Sequence, residues 1–152
     1  MAIGEMTQVR QATANWSGDL TSGAGTVSAA TSAVFSDLPI TWSARTERAD
    51  GKTSPEELLA AAHAACYSMA FSNGLAKGGH APDRIDVRVE VTFEKRDAGW
   101  TVAGSHITVR GKVPGISEAD FQAAAETARD GCPISRALKG NVELSVDATL
   151  EG

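Results

Sequence analysis

The segment from Ser54 to Phe71, Ser-Pro-Glu-Glu-Leu-Leu-Ala-Ala-Ala-His-Ala-Ala-Cys-Tyr-Ser-Met-Ala-Phe, constrains the fold more than any other stretch of this chain. It opens with a helix-start signature: Ser54 in the cap position, Pro55 at the first helical position and Glu57 three residues after the cap. Strong helix formers follow, and Gly78-Gly79 ends the segment just after Lys77. From Leu58 onward the apolar residues run nearly all the way round the wheel, a pattern that predicts a helix buried on every side. Its alanines let neighbouring backbone approach closely, and Cys66 sits in its middle.

The elements around that helix follow from alternation and turn chemistry. Residues 7–17 read as a first strand, Gly18-Asp19 and Gly23-Ala24-Gly25 as turns, and Thr26 to Phe35 as a strand pairing back on the first. Pro39 to Arg45 reads as a short third strand, ended before the helix by Asp50-Gly51. Beyond the helix, Ile85, Val87, Val89, Val91 and Phe93 alternate with polar residues, the mark of a half-buried strand. Asp97-Ala98-Gly99 turns the chain, and Trp100 to Val113 returns as its partner. Ser117 caps a helix that stops at Gly131, Cys132-Pro133 starts a short helix to Lys139, and Val142 to Leu150 alternates as a last strand. The order predicts an α+β fold with antiparallel sheets, in one domain over residues 1–152. One copy of these elements is too small to surround an all-apolar helix. A two-fold homodimer, with the central helices of two chains packed under shared sheets, is therefore expected.

Composition narrows the partners. A formal net charge of -5 argues against nucleic acid and against an anionic membrane surface. No apolar run reaches the length that spans a bilayer. Met1 to Arg10 lacks the basic-then-apolar order of a signal peptide, so a cytoplasmic protein is expected. In that compartment a static disulfide is rare, which turns attention to what the two cysteines do.

Cys132 lies at a helix start, where backbone N–H groups favour a thiolate; as a bare residue it is equally well read as a small buried side chain. Cys66 in mid-helix gains nothing from a dipole and needs a cation to ionise; otherwise it is inert core. Arg45 and Arg48 precede the helix, and Arg10 lies farther upstream. A guanidinium can grip a thiolate and a carboxylate together, and Glu57 is the candidate carboxylate, although its capping position gives it an ordinary structural job as well. Glu57 and Cys66 are nine residues apart, about 900° of helix, and so face opposite sides. If Glu57 serves Cys66, it does so across a dimer interface.

These motifs resemble the OsmC/Ohr family of thiol-dependent peroxidases over essentially the whole chain. The resemblance is carried by the run from Ser54 to Cys66, by Gly131-Cys132-Pro133-Ile134-Ser135, and by Trp16-Ser17-Gly18-Asp19-Leu20 with Gly23-Ala24-Gly25, the last being similar to the OsmC branch. It implies an intertwined α+β homodimer with sites at the subunit interface. It further implies Cys66 as the peroxidatic cysteine, Cys132 as the resolving cysteine, Glu57 as the glutamate and Arg45 as the arginine, with Arg48 as the alternative. The reaction implied is reduction of an alkyl or fatty hydroperoxide through a Cys66 sulfenic acid and a Cys66–Cys132 disulfide. A dithiol, such as a dihydrolipoyl group, would restore the thiols. No metal, haem, flavin or selenium is needed for it.

Two other readings stand beside this one. His63 and Cys66, three apart on one helix face, could join Cys132 in a metal site, although no fourth ligand is evident. Otherwise His63 finds an ordinary hydrogen bond. Alternatively the chain is a non-catalytic lipid- or metabolite-binding dimer with inert cysteines. His80 and His106 carry no assigned role, and Trp16, Trp42 and Trp100 read as packing residues.

Overall fold

The computed structural model describes residues 6–152, in the element order β1 (Ala12–Ser17), β2 (Ala24–Ala29), β3 (Leu38–Ile40), α1 (Trp42–Thr46), α2 (Pro55–Lys77), β4 (Arg84–Arg96), β5 (Gly99–Lys112), α3 (Glu118–Gly131), α4 (Pro133–Leu138) and β6 (Glu143–Leu150). Contacts divide the chain into two compact units, one up to Pro55 and the other Glu56–Gly152. The architecture is α+β, as the alternation of patterns predicts.

In the first unit β1, β2 and β3 form an antiparallel sheet in that order. The turn between β1 and β2 is held by Asp19, whose carboxylate accepts from the Ser22 N–H and hydroxyl at 2.7 Å each. Those bonds keep the Asp19 carboxyl below its ordinary range. A Cβ on Gly25 would run into the Asn15 carbonyl across the strand pair, so only glycine fits there. The first strand is shorter than residues 7–17, and the Pro39 to Arg45 segment is a strand only to Ile40. From Trp42 it turns helical, because the Thr41 hydroxyl accepts from the Ala44 N–H at 3.1 Å and caps α1.

In the second unit β4 and β5 make a long antiparallel hairpin whose tip is braced by Phe93 stacked on Trp100, with ring centroids 4.9 Å apart. β6 pairs with β5 in parallel, so the expectation of purely antiparallel sheets fails at this edge. The reason is the connection: α3 and α4 intervene between β5 and β6, and a helical crossover returns the chain in its starting direction. Ser117 caps α3 through the Asp120 N–H, and the Cys132 sulfur caps α4 through the Ser135 N–H.

The core lies between this sheet, α2 and α3. β5 presents Ala103, Ser105, Ile107, Val109 and Gly111 inward at alternate positions, and Val113, just past its end, continues the row. α2 answers with His63, Tyr67, Phe71 and Leu75, spaced by one turn each. Phe71 meets Phe121 at 5.3 Å between ring centroids, and the Tyr67 hydroxyl donates to the Ala125 carbonyl at 2.9 Å. Within one chain, then, α2 buries a single stripe rather than every side, and Met69 is 68% exposed.

Phe121 is fully buried with its ring against Gly111, where an added Cβ would stand 2.8 Å from a ring carbon. Phe121→Ala is expected to cost about 3–5 kcal/mol and Gly111→Ala about 1–3 kcal/mol. In the Phe121→Ala background the Gly111→Ala cost should fall, because the clashing ring is gone. Urea denaturation of all four proteins at one concentration checks this; strictly additive losses would refute the contact.

Candidate active site

Cys66 and Cys132 come from elements that the core brings together. Cys66 precedes the buried Tyr67 on α2, and this puts its sulfur at the edge of the buried stripe, half-buried. Cys132 closes α3 and opens α4, where Pro133 supplies the fixed φ of a first helical residue. Both are free thiols, Cys132 wholly buried. The Cys132 thiol lies within hydrogen-bonding reach of Cys66, as does the Ile134 N–H.

The electrostatics of Cys66 are a contest. Burial pushes its thiol above the ordinary range. The Ile134 N–H pulls it down, the neighbouring Cys132 sulfur pushes it up again, and the Arg136 guanidinium pulls down last. The net direction is upward, so in the single chain Cys66 is a thiol held back from ionising. Arg136 is absent from the sequence reading, yet a signal existed: it lies four residues after Cys132, on the same face of α4.

An open cleft of about 820 Å³ lies over Cys66. Met69, Ala70, Asn73, Gly74 and Lys77 continue its α2 wall; Ala124, Thr127, Ala128 and Gly131 of α3 face them, with Pro133 and Arg136 at the end. The cleft is mostly small and apolar, with Arg136 a guanidinium on its lining.

His63 lies behind the cysteines, fully buried. Its Nδ1 is 2.7 Å from Ser105 Oγ and its Nε2 is 2.7 Å from Ser135 Oγ. The ordinary hydrogen bond expected of a histidine on an apolar helix is thus two bonds, and burial lowers its affinity for a proton. The Ser135 hydroxyl in turn accepts from the Cys132 thiol at 3.1 Å, and the Ser135 N–H donates to the same sulfur at 3.3 Å. The sequence assigns neither serine a role, although Ser135 ends the Gly131-Cys132-Pro133-Ile134-Ser135 motif and Ser105 is visible as the one hydroxyl on the inward row of β5.

Arg45 belongs to the first unit, on α1, half-buried with its guanidinium carbon 5.8 Å from the centroid of the Trp42 ring. It lines a cavity of about 280 Å³ with Trp16, Leu20, Ile40, Thr41, Trp42 and Pro55. Arg48 is exposed on the loop that follows. Glu57 is exposed in the first turn of α2, whereas its neighbour Glu56 is buried. His106, on the wet side of β5, contacts Ser145 at 2.6 Å and Asp147 at 3.1 Å.

Comparison with known proteins gives the chain its family. The family model for OsmC-like proteins matches residues 48–147. The chain is 40% identical over 139 residues to the peroxiredoxin OsmC of Escherichia coli (strain K12), covering 91% of this chain and 96% of that protein. It is 27% identical over 117 residues to the organic hydroperoxide resistance protein OhrA of Bacillus subtilis (strain 168), covering 73% and 77%. Among solved structures, the organic hydroperoxide resistance protein OhrB of Bacillus subtilis superposes with a TM-score of 0.68 at 24% identity, over 93% of this chain and 98% of that one. An OsmC structure from Legionella pneumophila gives a TM-score of 0.66 at 20% identity, over 96% and 100%, so the fold is shared well beyond close relatives. By the span of the family match and the identity across nearly its full length, this chain belongs to the OsmC family.

Proposed function

We propose that this protein is a thiol-dependent peroxidase that reduces organic hydroperoxides, alkyl or fatty, to the corresponding alcohols. The observation that carries the reading is the pairing of two free thiols of unlike exposure, with Cys66 opening on an apolar cleft and Cys132 buried beside it. The names of the relatives, a peroxiredoxin and an organic hydroperoxide resistance protein, point the same way.

The Cys66 thiolate attacks the terminal oxygen of the hydroperoxide. The O–O bond breaks, the alkoxide leaves as alcohol with a proton, and Cys66 becomes a sulfenic acid. Cys132 then condenses with it, forming an S–S bond and releasing water. A dithiol, a dihydrolipoyl group by the family resemblance, exchanges the disulfide back to two thiols. A buried resolving sulfur suits this order, because a bulky hydroperoxide reaches Cys66 first. The mostly small and apolar lining of the cleft favours an alkyl chain over hydrogen peroxide.

Ionisation is what the site must supply, since burial holds Cys66 protonated. Arg136 gives part of the opposing field. Arg45 is the second guanidinium of the proposal, preferred to Arg48 because it is half-buried against Trp42 in an apolar cavity whereas Arg48 is in solvent. Glu57 is its carboxylate partner, contributed by the second subunit of a homodimer. The exposed apolar side of α2 around Met69 supports such an assembly, because a lone chain leaves it in water. A cytoplasmic location is part of the proposal, supported by Met1 to Arg10 lacking the basic-then-apolar order of a signal peptide; no helix among the described residues is long and apolar enough to cross a membrane.

Consumption of an alkyl hydroperoxide with excess dithiol tests the reading. Cys66→Ser should abolish turnover, and Cys132→Ser should permit a single round followed by over-oxidation of Cys66 to the sulfinic acid. Two slow thiols and no consumption in the unaltered protein would instead leave a passive binding dimer. Removing a cation leaves less thiolate, so Arg45→Ala and Arg136→Ala should each raise the Cys66 pKa, moving the alkaline rise in the peroxide-step rate to higher pH. Arg48→Ala should leave that profile in place; a shift there and none in Arg45→Ala would transfer the role to Arg48.

A further inference from the structure

The peroxidase chemistry uses two sulfurs, yet the buried polar chain behind them runs further than it requires. From Cys132 it passes to Ser135 Oγ at 3.1 Å, on to His63 Nε2 at 2.7 Å, and from Nδ1 to Ser105 Oγ at 2.7 Å. All four residues are buried. Four buried groups on three elements and an interhelical turn, spanning residues 63 to 135, exceed what satisfying one histidine demands. With the Cys132 thiol donating to Ser135, the Ser135 hydroxyl proton is free to point at Nε2, which leaves Nδ1–H to donate to Ser105. Every bond then runs in one direction, away from the resolving sulfur.

We propose that His63, acting through the Ser135 hydroxyl, is the positioning residue that accepts the Cys132 proton when the disulfide forms and returns it when the disulfide is reduced. The inference rests on the peroxidase reading for its physiological step but not for its chemistry. As Cys132 attacks, its S–H proton moves to Ser135 Oγ and the Ser135 hydroxyl proton moves to His63 Nε2. The electron pair left on Cys132 forms the S–S bond to Cys66. The Cys66 S–O bond breaks, its hydroxide leaves and takes a proton from solvent on the open cleft side, and the buried imidazolium holds the Cys132 proton. The balance is one sulfenic acid, one thiol and one solvent proton giving one disulfide, one water and one protonated His63. On reduction an incoming thiolate attacks the more accessible Cys66 sulfur, and Cys132 leaves and recovers a proton along the same chain.

The need for such a chain follows from where Cys132 sits. A thiol wholly buried has no solvent to take its proton, and attack by an un-ionised thiol is slow. An internal base within two hydrogen bonds removes that obstacle. The ionisable groups around the network are Cys66, Cys132 and Tyr67, with Arg136 felt at Cys66 and Arg129 at Tyr67. The downward pressure on the His63 proton affinity comes from burial alone, so His63 is the neutral acceptor the step requires above the ordinary histidine range.

4,4′-Dithiodipyridine tests the relay without any hydroperoxide. The first thiopyridone is released when the probe caps Cys66, and the second when Cys132 displaces the cap to form the Cys66–Cys132 disulfide. In the unaltered protein the second phase should be flat between about pH 6.5 and 8, the range in which a buried histidine is already neutral. In His63→Gln and in Ser135→Ala it should be slower by about 10²-fold at pH 7 and rise about tenfold per pH unit, as for an unassisted thiol. The first phase should be unchanged in both. A second phase that rises tenfold per unit in the unaltered protein, or whose rate and pH profile survive in whichever variant folds, overturns the proposal. If hydroperoxide is not consumed while the flat second phase is present, the peroxidase reading fails and the relay stands.

Discussion

The stripe His63, Tyr67, Phe71 and Leu75 on α2 is the contact on which the rest of the larger unit depends. One turn separates each member from the next, so together they press a straight apolar ridge against the inward row of β5 and the Phe121 face of α3. Burying four side chains of this size contributes on the order of 1.5–3 kcal/mol each for the apolar ones, and the tilted rings of Tyr67, Phe71 and Phe121 lock the helix azimuth as well as its depth. A fixed azimuth is what function needs. Cys66 is one residue before Tyr67, so rotating the helix would carry its sulfur away from Cys132. The packing that stabilises the fold also sets the distance between the two thiols.

Much of this was legible in the sequence because it is written in local patterns. Alternation from Ile85 to Phe93 and from Val142 to Leu150 requires strands, and the Ser117 and Cys132-Pro133 signals place helix starts where the structure has them. The two cysteines could be singled out by chemistry and by family resemblance. The sequence did not reveal direction or capping competition. β6 alternates identically whether it runs with or against β5, and only the length of the α3–α4 connection decides. The Pro39 to Arg45 segment carries strand propensity past Ile40, yet the Thr41 cap commits the chain to helix before that propensity can act. The uniformly apolar wheel of α2 predicts burial on all sides, while a single chain covers one stripe and leaves Met69 in water.

The site was half legible for a related reason. Cys66 and Cys132 carry reactive atoms that announce themselves, whereas Ser105 and Ser135 matter only through where the fold puts them. A serine on an apolar strand face is a mild exception to alternation, and its meaning appears only when His63 arrives opposite it. Arg136 is similar: one turn along α4 from Cys132, it acts on Cys66, a residue 70 positions away in the chain. Groups defined by a neighbour across the core leave only a faint mark in the sequence, a serine on an apolar row or an arginine one turn from a cysteine.

The electrostatic contest at Cys66 decides how the site must be completed. Each unit by which burial raises the thiol pKa reduces the thiolate tenfold, or about 1.4 kcal/mol. An opposite charge 4 Å away offsets about 1 kcal/mol through water but about 4 kcal/mol at the effective dielectric of a partly covered site. Arg136 is exposed, so its field is the screened kind, and in the single chain burial prevails over it. A cleft that desolvates its nucleophile to admit an apolar substrate therefore calls for a second cation that is itself partly desolvated. Arg45, half-buried beside Trp42 and walled by Trp16, Leu20 and Ile40, is a guanidinium whose field water does not fully screen. Exposed Arg48 lacks that property. The same low dielectric that makes Cys66 hard to ionise strengthens the field of any cation near it, which is why the proposed site asks for a partly desolvated guanidinium.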